Sequence, residues 1–370
     1  MQYTQHNPLP LKSGSPQFES VRATIDTVFD WKYEMKKQNL LGLYEKGKTL
    51  TWNANDLDWS IDVNIERMVK ERVANGMPAL MNSLLNPPKP LGDAEVVEFQ
   101  LNMNAFMLSQ FLHGEQGALV ATAKIVQGVP WEEAKFYAAN QVADEARHVE
   151  VYHRYLTEKL GVSYECVPSL NRLLDDIITD SRWDITFLGM QIMVEGLALA
   201  AFGVTRMQMM DEPLIQDLIT RVMADESRHV AFGVLSLADL YKEMSESELR
   251  EREDFVIEAT HQLRDRLKPT PVFERLGWDP VVWTKWSEET PFMRGFRQMM
   301  FQKIVPNLKR LGLLTPRVRE AYAKLDLLRF EHEKDSVEDP ETTPPQELVQ
   351  LLMQFMSQTT GANGQPAAAQ

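Results

Sequence analysis

Between about residues 94 and 243, apolar residues recur at three- and four-residue spacing and strand-like alternation is weak, so the pattern predicts long helices. The first runs from about 94 to 125. Gly128-Val129-Pro130 breaks it, and Pro130 suits an opening turn of the second, about 130 to 160. After Gly161 a connection with a short helical pattern at 170–178 is long enough for a crossover. A third helix spans about 182 to 209, and Asp211-Glu212-Pro213 opens a fourth, about 213 to 243. Further helices are predicted near 20–46, 247–267, 290–311 and 315–333. Residues 1–19, polar and proline-bearing, read as an extended arm before a helical domain over 20–335. Residues 336–370, with Pro340, Pro344 and Pro345, read as a largely disordered tail around one amphipathic helix at 346–356.

Acidic residues interrupt the apolar faces at four places. Two near-copies of one heptapeptide, Ala143-Asp144-Glu145-Ala146-Arg147-His148-Val149 and Ala224-Asp225-Glu226-Ser227-Arg228-His229-Val230, each carry Glu-x-x-His. On a helix, positions i and i+3 share a face, so each copy aims a carboxylate and an imidazole at one point. Spacing alone is weak, because Glu150/His153 and Glu258/His261 match it too. Phase separates them. Ile219, Val222, Met223 and Val230 lie on the side of Glu226, and Ala138, Val142 and Val149 on that of Glu145. Glu150 is turned about 140° from Glu145, and Glu258 follows the charged run Glu251-Arg252-Glu253-Asp254; both are expected to be exposed.

A carboxylate in a core must be paired, protonated or bound to metal. Two more fit that description. Glu115 shares its phase with Leu108, Phe111, Leu112, Ala118 and Leu119, and Glu195 with Leu188, Ile192, Ala198, Leu199 and Phe202. The order Glu115, Glu145 with His148, then Glu195, Glu226 with His229, reads as one helix hairpin used twice. Four carboxylates and two imidazoles carry about −4, which two divalent cations cancel and one does not. Oxygen-rich ligation with one imidazole per metal suits iron or manganese better than structural zinc or calcium.

Composition sets limits. The 370 residues carry a net charge of −14, which disfavours nucleic acid and anionic membrane surfaces as partners. With one cysteine, Cys166, no intrachain disulfide forms, which suits a reducing compartment. Met1 to Ser15 has no apolar h-region, and no uninterrupted apolar run is read as spanning a bilayer. The expectation is a soluble, cytoplasmic protein without a membrane span.

One Glu from each of two helices plus Glu-x-x-His from each of two others resembles the ferritin-like dimetal-carboxylate superfamily. The segment from Tyr44 to Asp58, Tyr-Glu-Lys-Gly-Lys-Thr-Leu-Thr-Trp-Asn-Ala-Asn-Asp-Leu-Asp, narrows it. It is similar to ribonucleotide reductase small subunits and, more closely, to R2-like ligand-binding oxidases, over roughly residues 40 to 245. The resemblance implies an all-α fold, a ferritin-like four-helix bundle with additional N- and C-terminal helices. It implies two Fe ions, or Mn/Fe, with O2 as cosubstrate, held by Glu115, Glu145, His148, Glu195, Glu226 and His229. It further implies that Trp52 hydrogen-bonds Asp225, which contacts His148, as an electron route; Asp144 is the weaker analogue on the other half. Tyr152 stands where reductase small subunits carry a radical tyrosine, although a tyrosine there also packs or hydrogen-bonds a carboxylate.

Departures matter as well. Glu115 stands where reductase small subunits often have Asp, and 359–370 lacks their tail tyrosine. Ala118 and Met190 replace the valine and tyrosine that R2-like oxidases crosslink, and Val222 stands where arylamine N-oxygenases add a histidine. The function expected is therefore an O2-activating non-haem diiron or Mn/Fe oxidase or oxygenase of a small, hydrophobic organic substrate. Its expected partners are an electron donor such as a ferredoxin or reductase and a second copy in a homodimer. A radical-generating reductase-like subunit and a ferritin-like iron store are the alternatives. Gly117 and Gly196, beside Glu115 and Glu195, leave room for a pocket or for close helix packing. The Met- and Phe-rich stretches 103–111, 187–193 and 207–210 suit a substrate channel or plain core. Arg147 and Arg228 are expected to pair with acids on the outer face of the bundle, and His113 has no assigned role.

Overall fold

The computed structural model describes residues 20–339 and Gln350. The arm expected over 1–19 and the helix expected over 346–356 lie outside the described residues, Gln350 excepted. Within them every regular element is helical. In chain order these are α1 (Gln38–Thr49), α2 (Ile65–Ala74), α3 (Met77–Leu85), α4 (Asp93–Gly128), α5 (Glu132–Arg154), α6 (Pro168–Thr179), α7 (Trp183–Phe187), α8 (Glu195–Gln208), α9 (Pro213–Glu243), α10 (Glu246–Asp265), α11 (Thr270–Arg275), α12 (Pro280–Glu289), α13 (Pro291–Met299), α14 (Ile304–Arg310) and α15 (Pro316–Lys324).

Four long helical runs form the centre. The three residues after α4 force α5 back along it as an antiparallel neighbour, and the short link from α8 to α9 does the same for the second pair. Between the pairs the chain crosses over through α6. α4 packs on α7, and α5 packs on α9, which closes the four-helix bundle. The third run is continuous from Trp183 to Gln208 but widens into π-helical turns over Leu188–Val194, ending at Glu195. A π turn inserts a residue into the helical register, and such turns are frequent at functional sites. Glu195 therefore emerges on the inner face while the apolar residues before it stay buried.

This run is long and apolar enough to cross a membrane, contrary to the sequence expectation, but 94% of its most apolar stretch is buried inside the bundle. Its apolarity is that of a helix surrounded by others on all sides.

Three further expectations change. The helix expected over 20–46 begins only at Gln38: Tyr33 adopts a left-handed φ of 55°, and Val28 donates its N–H to the Gln127 carbonyl at 2.9 Å. The preceding segment is an irregular strap over the α4–α5 turn. The helix expected over 290–311 is broken between Met299 and Ile304. Pro306 has no N–H to offer the carbonyl of Gln302, and it sits instead in the first turn of α14. The helix expected over 315–333 stops at Lys324, just before Asp326 at φ 56°. Helices α2, α3, α11 and α12 have no counterpart in the sequence reading. α11 and α12 are held by an aromatic cluster in which Trp278 meets Trp283 with ring centroids 4.1 Å apart.

Candidate metal centre

Each inner helix contributes to one cluster. α4 gives Glu115, α5 gives Glu145 and His148, α8 gives Glu195, and α9 gives Glu226 and His229; all six are buried. Glu150 and Glu258, the residues with the same spacing and the wrong phase, are exposed, as are His153 and His261. The ligand atoms fall into two overlapping groups able to hold a metal ion: Glu115, Glu145, His148 and Glu226, and Glu145, Glu195, Glu226 and His229. Glu145 and Glu226 belong to both, so they would be shared by two ions if the cluster held a pair.

His148 Nδ1 lies 3.1 Å from Glu226 Oε1 and 3.4 Å from both Glu115 Oε2 and Glu145 Oε2. His229 Nδ1 lies 3.1 Å from Glu145 Oε1 and 3.5 Å from Glu226 Oε2. Buried polar atoms in a folded protein are almost always hydrogen-bonded. Here six are not: both ring Nδ1 atoms, Glu145 Oε2, Glu195 Oε2 and both oxygens of Glu226 have no hydrogen-bond partner among the described residues. All belong to the two groups. This is the donor set that two oxygen-loving divalent ions would satisfy, and the residues fit such a pair.

The second nitrogen of each imidazole explains the doubled heptapeptide. His148 Nε2 donates to Asp225 Oδ2 at 3.1 Å, and His229 Nε2 to Asp144 Oδ2 at 3.3 Å. The aspartate of each copy thus orients the histidine of the other. That hydrogen bond keeps the proton on Nε2 and turns the Nδ1 lone pair inward. Trp52, half-buried before the bundle, donates its indole N–H to the same Asp225 oxygen at 2.8 Å. The chain Trp52, Asp225, His148 is therefore contiguous.

Arg147 and Arg228 do not reach the outer face as expected. Arg228 pairs with Asp225, and Arg147 with Asp144 and, at 3.2 Å, with Asp225. A residue three positions after an aspartate on a helix is its neighbour, and both aspartates point inward, so the arginines follow them. Arg147 also lies over the Trp52 ring, 4.8 Å from its centroid.

Without metal the cluster holds protons. Burial, then the charge of Glu226, pushes the Glu115 carboxyl up to about 8, and burial with the charges of Glu226 and Glu145 raises Glu195 well above the usual carboxylate range. Burial alone would lower His148, but the carboxylates of Asp225, Glu115, Glu145 and Glu226 around its ring carry it well above the ordinary imidazole value. His229 is likewise raised, against burial, by Glu145 and Glu226. Against burial in turn, the two histidines hold Glu145 low, and His148 and Arg228 hold Asp225 low.

Tyr152 is fully buried, its ring 6.0 Å from both Phe111 and Phe202, and its hydroxyl has no partner among the described residues. Burial and the nearby charge of Glu115 raise it well above the usual phenol value. Ala118 and Met190 are packed in the core.

Three buried residues went unread in the sequence. Gln141 Nε2 donates to Glu145 Oε1 and to Glu195 Oε1, both at 2.9 Å, tying a ligand of one helix pair to a ligand of the other. Tyr137 lies beside His229, ring centroids 6.4 Å apart, with a hydroxyl that has no partner among the described residues. Gln191 is buried with both amide atoms in the same condition. Gln141 and Gln191 each stand one turn before a ligand glutamate, so following the ligand phase backwards would have found them.

The glycines beside the ligands make no pocket. A Cβ on Gly117 would press into the Leu174 side chain of α6, and one on Gly196 would stand 3.2 Å from Ile304 Cγ1 of α14. They allow close helix packing. Of the Met- and Phe-rich stretches, 187–193 is buried core, whereas Met103 and Met107 line an apolar cavity of about 280 Å³ between α3, α4 and α13. His113 Nε2 donates to the Tyr164 carbonyl oxygen at 2.9 Å.

No protein-family model matches the chain, and neither does a curated protein. Among solved structures it is similar to a valine-to-leucine variant of R2-like ligand-binding oxidase with anaerobically reconstituted Mn/Fe cofactor, at 18% identity and a TM-score of 0.47 over 76% of this chain and 94% of that one. A valine-to-isoleucine variant with aerobically reconstituted Mn/Fe cofactor gives 15% identity and 0.42 over 82% and 95%. At TM-scores this low the likeness carries no weight for the metals or the reaction.

Proposed function

We propose that this protein is a non-haem dimetal oxidoreductase, an oxidase or monooxygenase, that binds two irons or a manganese and an iron and uses O2 on a small hydrophobic organic substrate. The observation that carries the reading is the set of six buried, partnerless ligand atoms in two groups sharing Glu145 and Glu226. When bound in the reduced state, such a metal pair supplies the two electrons needed to activate O2. The chain supplies the rest. Asp225 and Asp144 fix the imidazole tautomers, Gln141 steadies Glu145 and Glu195, and the close packing at Gly117 and Gly196 holds α6 and α14 against the ligand helices. Electrons would come from a ferredoxin or reductase docking near Trp52.

A second reading, a radical-generating subunit, is favoured by one observation: the buried, partnerless hydroxyl of Tyr152 beside the Glu115 half of the cluster. One experiment separates the two. Reduced, metal-loaded protein is exposed to O2 and followed by electron paramagnetic resonance and O2 uptake. The oxidase reading predicts O2 consumption without a lasting tyrosyl signal. A stable tyrosyl signal that disappears in Tyr152→Phe would replace it with the radical reading, and no O2 uptake by fully loaded protein would remove both.

A further inference from the structure

The apolar cavity of about 280 Å³ is lined by α3, α4 and α13, together with Trp286 of α12. Met77 and Met81 come from α3, Met103 and Met107 from α4, and Met293 from α13. Unbranched thioether side chains rearrange easily, so a wall built of five of them adapts to a guest. A cavity of about 150 Å³ is enough for benzene. This one therefore has room for a ring and a short chain, and it opens to solvent beside Leu84, which is 50% exposed.

The polar groups of the wall decide what chemistry it accepts. Ser287 and Thr290 turn their hydroxyls to the carbonyls of Thr284 and Ser287, both at 2.8 Å, and Trp286 gives its N–H to the Leu85 carbonyl at 2.7 Å. Arg72 is the one charged residue of the lining among the described residues. Its Nη1 donates to the Gln208 carbonyl at 3.3 Å and its Nη2 to Asp211 at 3.0 Å, so its charge is already met. Three amide side chains remain, those of Gln100, Asn104 and Gln208, which have no hydrogen-bond partner among the described residues. Gln100 and Asn104 are four apart on the α4 face that carries Met103 and Met107, so they meet the same space as the methionines. An ion entering here would lose water without finding an opposite charge, which is costly. A neutral group that donates and accepts can take the place of water at the amides.

We propose that this cavity is a binding site for a neutral apolar molecule bearing one alcohol or carboxamide group. The polar group takes the amides of Gln100 and Asn104, and the apolar part lies among the methionines, Phe99 and Trp286. The site does not rest on the oxidase reading, since none of the six candidate metal ligands lines it.

Isothermal titration calorimetry of the full-length, metal-loaded protein with 4-phenylbutanamide, 4-phenylbutyrate, 4-phenylbutylamine and propylbenzene tests it. The amide is expected to bind at least about tenfold tighter than the anion and the cation, which share its ring and chain. Met103→Trp, which fills the cavity, should weaken the amide at least about tenfold. Gln100→Leu with Asn104→Leu should lower the affinity for the amide relative to propylbenzene by about tenfold. No binding of the amide, equal binding of either ion, or undiminished binding in Met103→Trp overturns the site. An unchanged ratio of amide to propylbenzene in the double variant overturns the role of the two amides. If the double variant does not fold, Met103→Trp and the wild-type titrations decide. Sedimentation of the same samples identifies a rival occupant: a dimer that Met103→Trp dissociates, with no binding of the amide, would make this face an interface between copies and overturn the proposal.

Discussion

Asp225 is the residue on which the centre turns. One of its oxygens receives Trp52, His148 and Arg147, and the other receives Arg228. Removing a hydrogen-bond acceptor behind a metal-bound histidine commonly lowers metal affinity about 10–100-fold. Asp225→Asn should therefore weaken one metal of the pair by that order, Asp144→Asn the other, and Glu150→Gln neither. A competition titration against a chelator checks all three, and equal behaviour of the three variants would remove the role given to the aspartates. The six candidate ligands were legible because phase, not spacing, separated them from Glu150 and Glu258. Gln141 and Gln191 were passed over although each stands one turn before a ligand glutamate on its phase, and Tyr137 was not legible, because a single buried tyrosine on an apolar face reads as core. The arginines were misplaced because Asp144 and Asp225, three residues before them on the same helices, turn inward to the histidine of the other helix and draw the arginines with them.

At the scale of the element, the helices that hold ligands were readable nearly to their ends, since each has a strong apolar face and all but the third run have a Gly or Pro at a boundary. The fourth helix matches from Pro213 to Glu243. The π-helical turns before Glu195 were hidden, because an inserted residue in an all-apolar run leaves no break in the pattern. The peripheral helices were harder: α11 and α12 are short and stand on tryptophan contacts rather than periodicity. The close approach of α4 and α6 gives a test. Gly117→Ala puts a methyl group into the Leu174 side chain, and overpacking of this kind costs about 1–3 kcal/mol. Thermal unfolding should shift down accordingly. An unchanged midpoint would mean the two helices separate freely, and the room for a pocket beside Glu115 would have to be reconsidered.

For the whole molecule, metal loading and protonation oppose each other. Glu115, raised to about 8 in the metal-free fold from an ordinary 4.5, stabilises that fold fully below about 4.5, and the contribution disappears as pH rises through about 8. The raised Glu195 acts in the same direction. Metal ions need these groups deprotonated, so uptake should release protons and tighten as pH rises across this window. Calorimetric titration in buffers of different ionisation heat measures that release; uptake without proton release would contradict the buried, proton-holding cluster. The most direct test of the central claim is anomalous X-ray diffraction at the iron and manganese edges from crystals of protein grown with both metals. The account predicts two peaks of iron, or one of iron and one of manganese, between α4, α5, α8 and α9, with Glu145 and Glu226 touching both. A single peak, zinc in its place, or no metal among these six residues would contradict it.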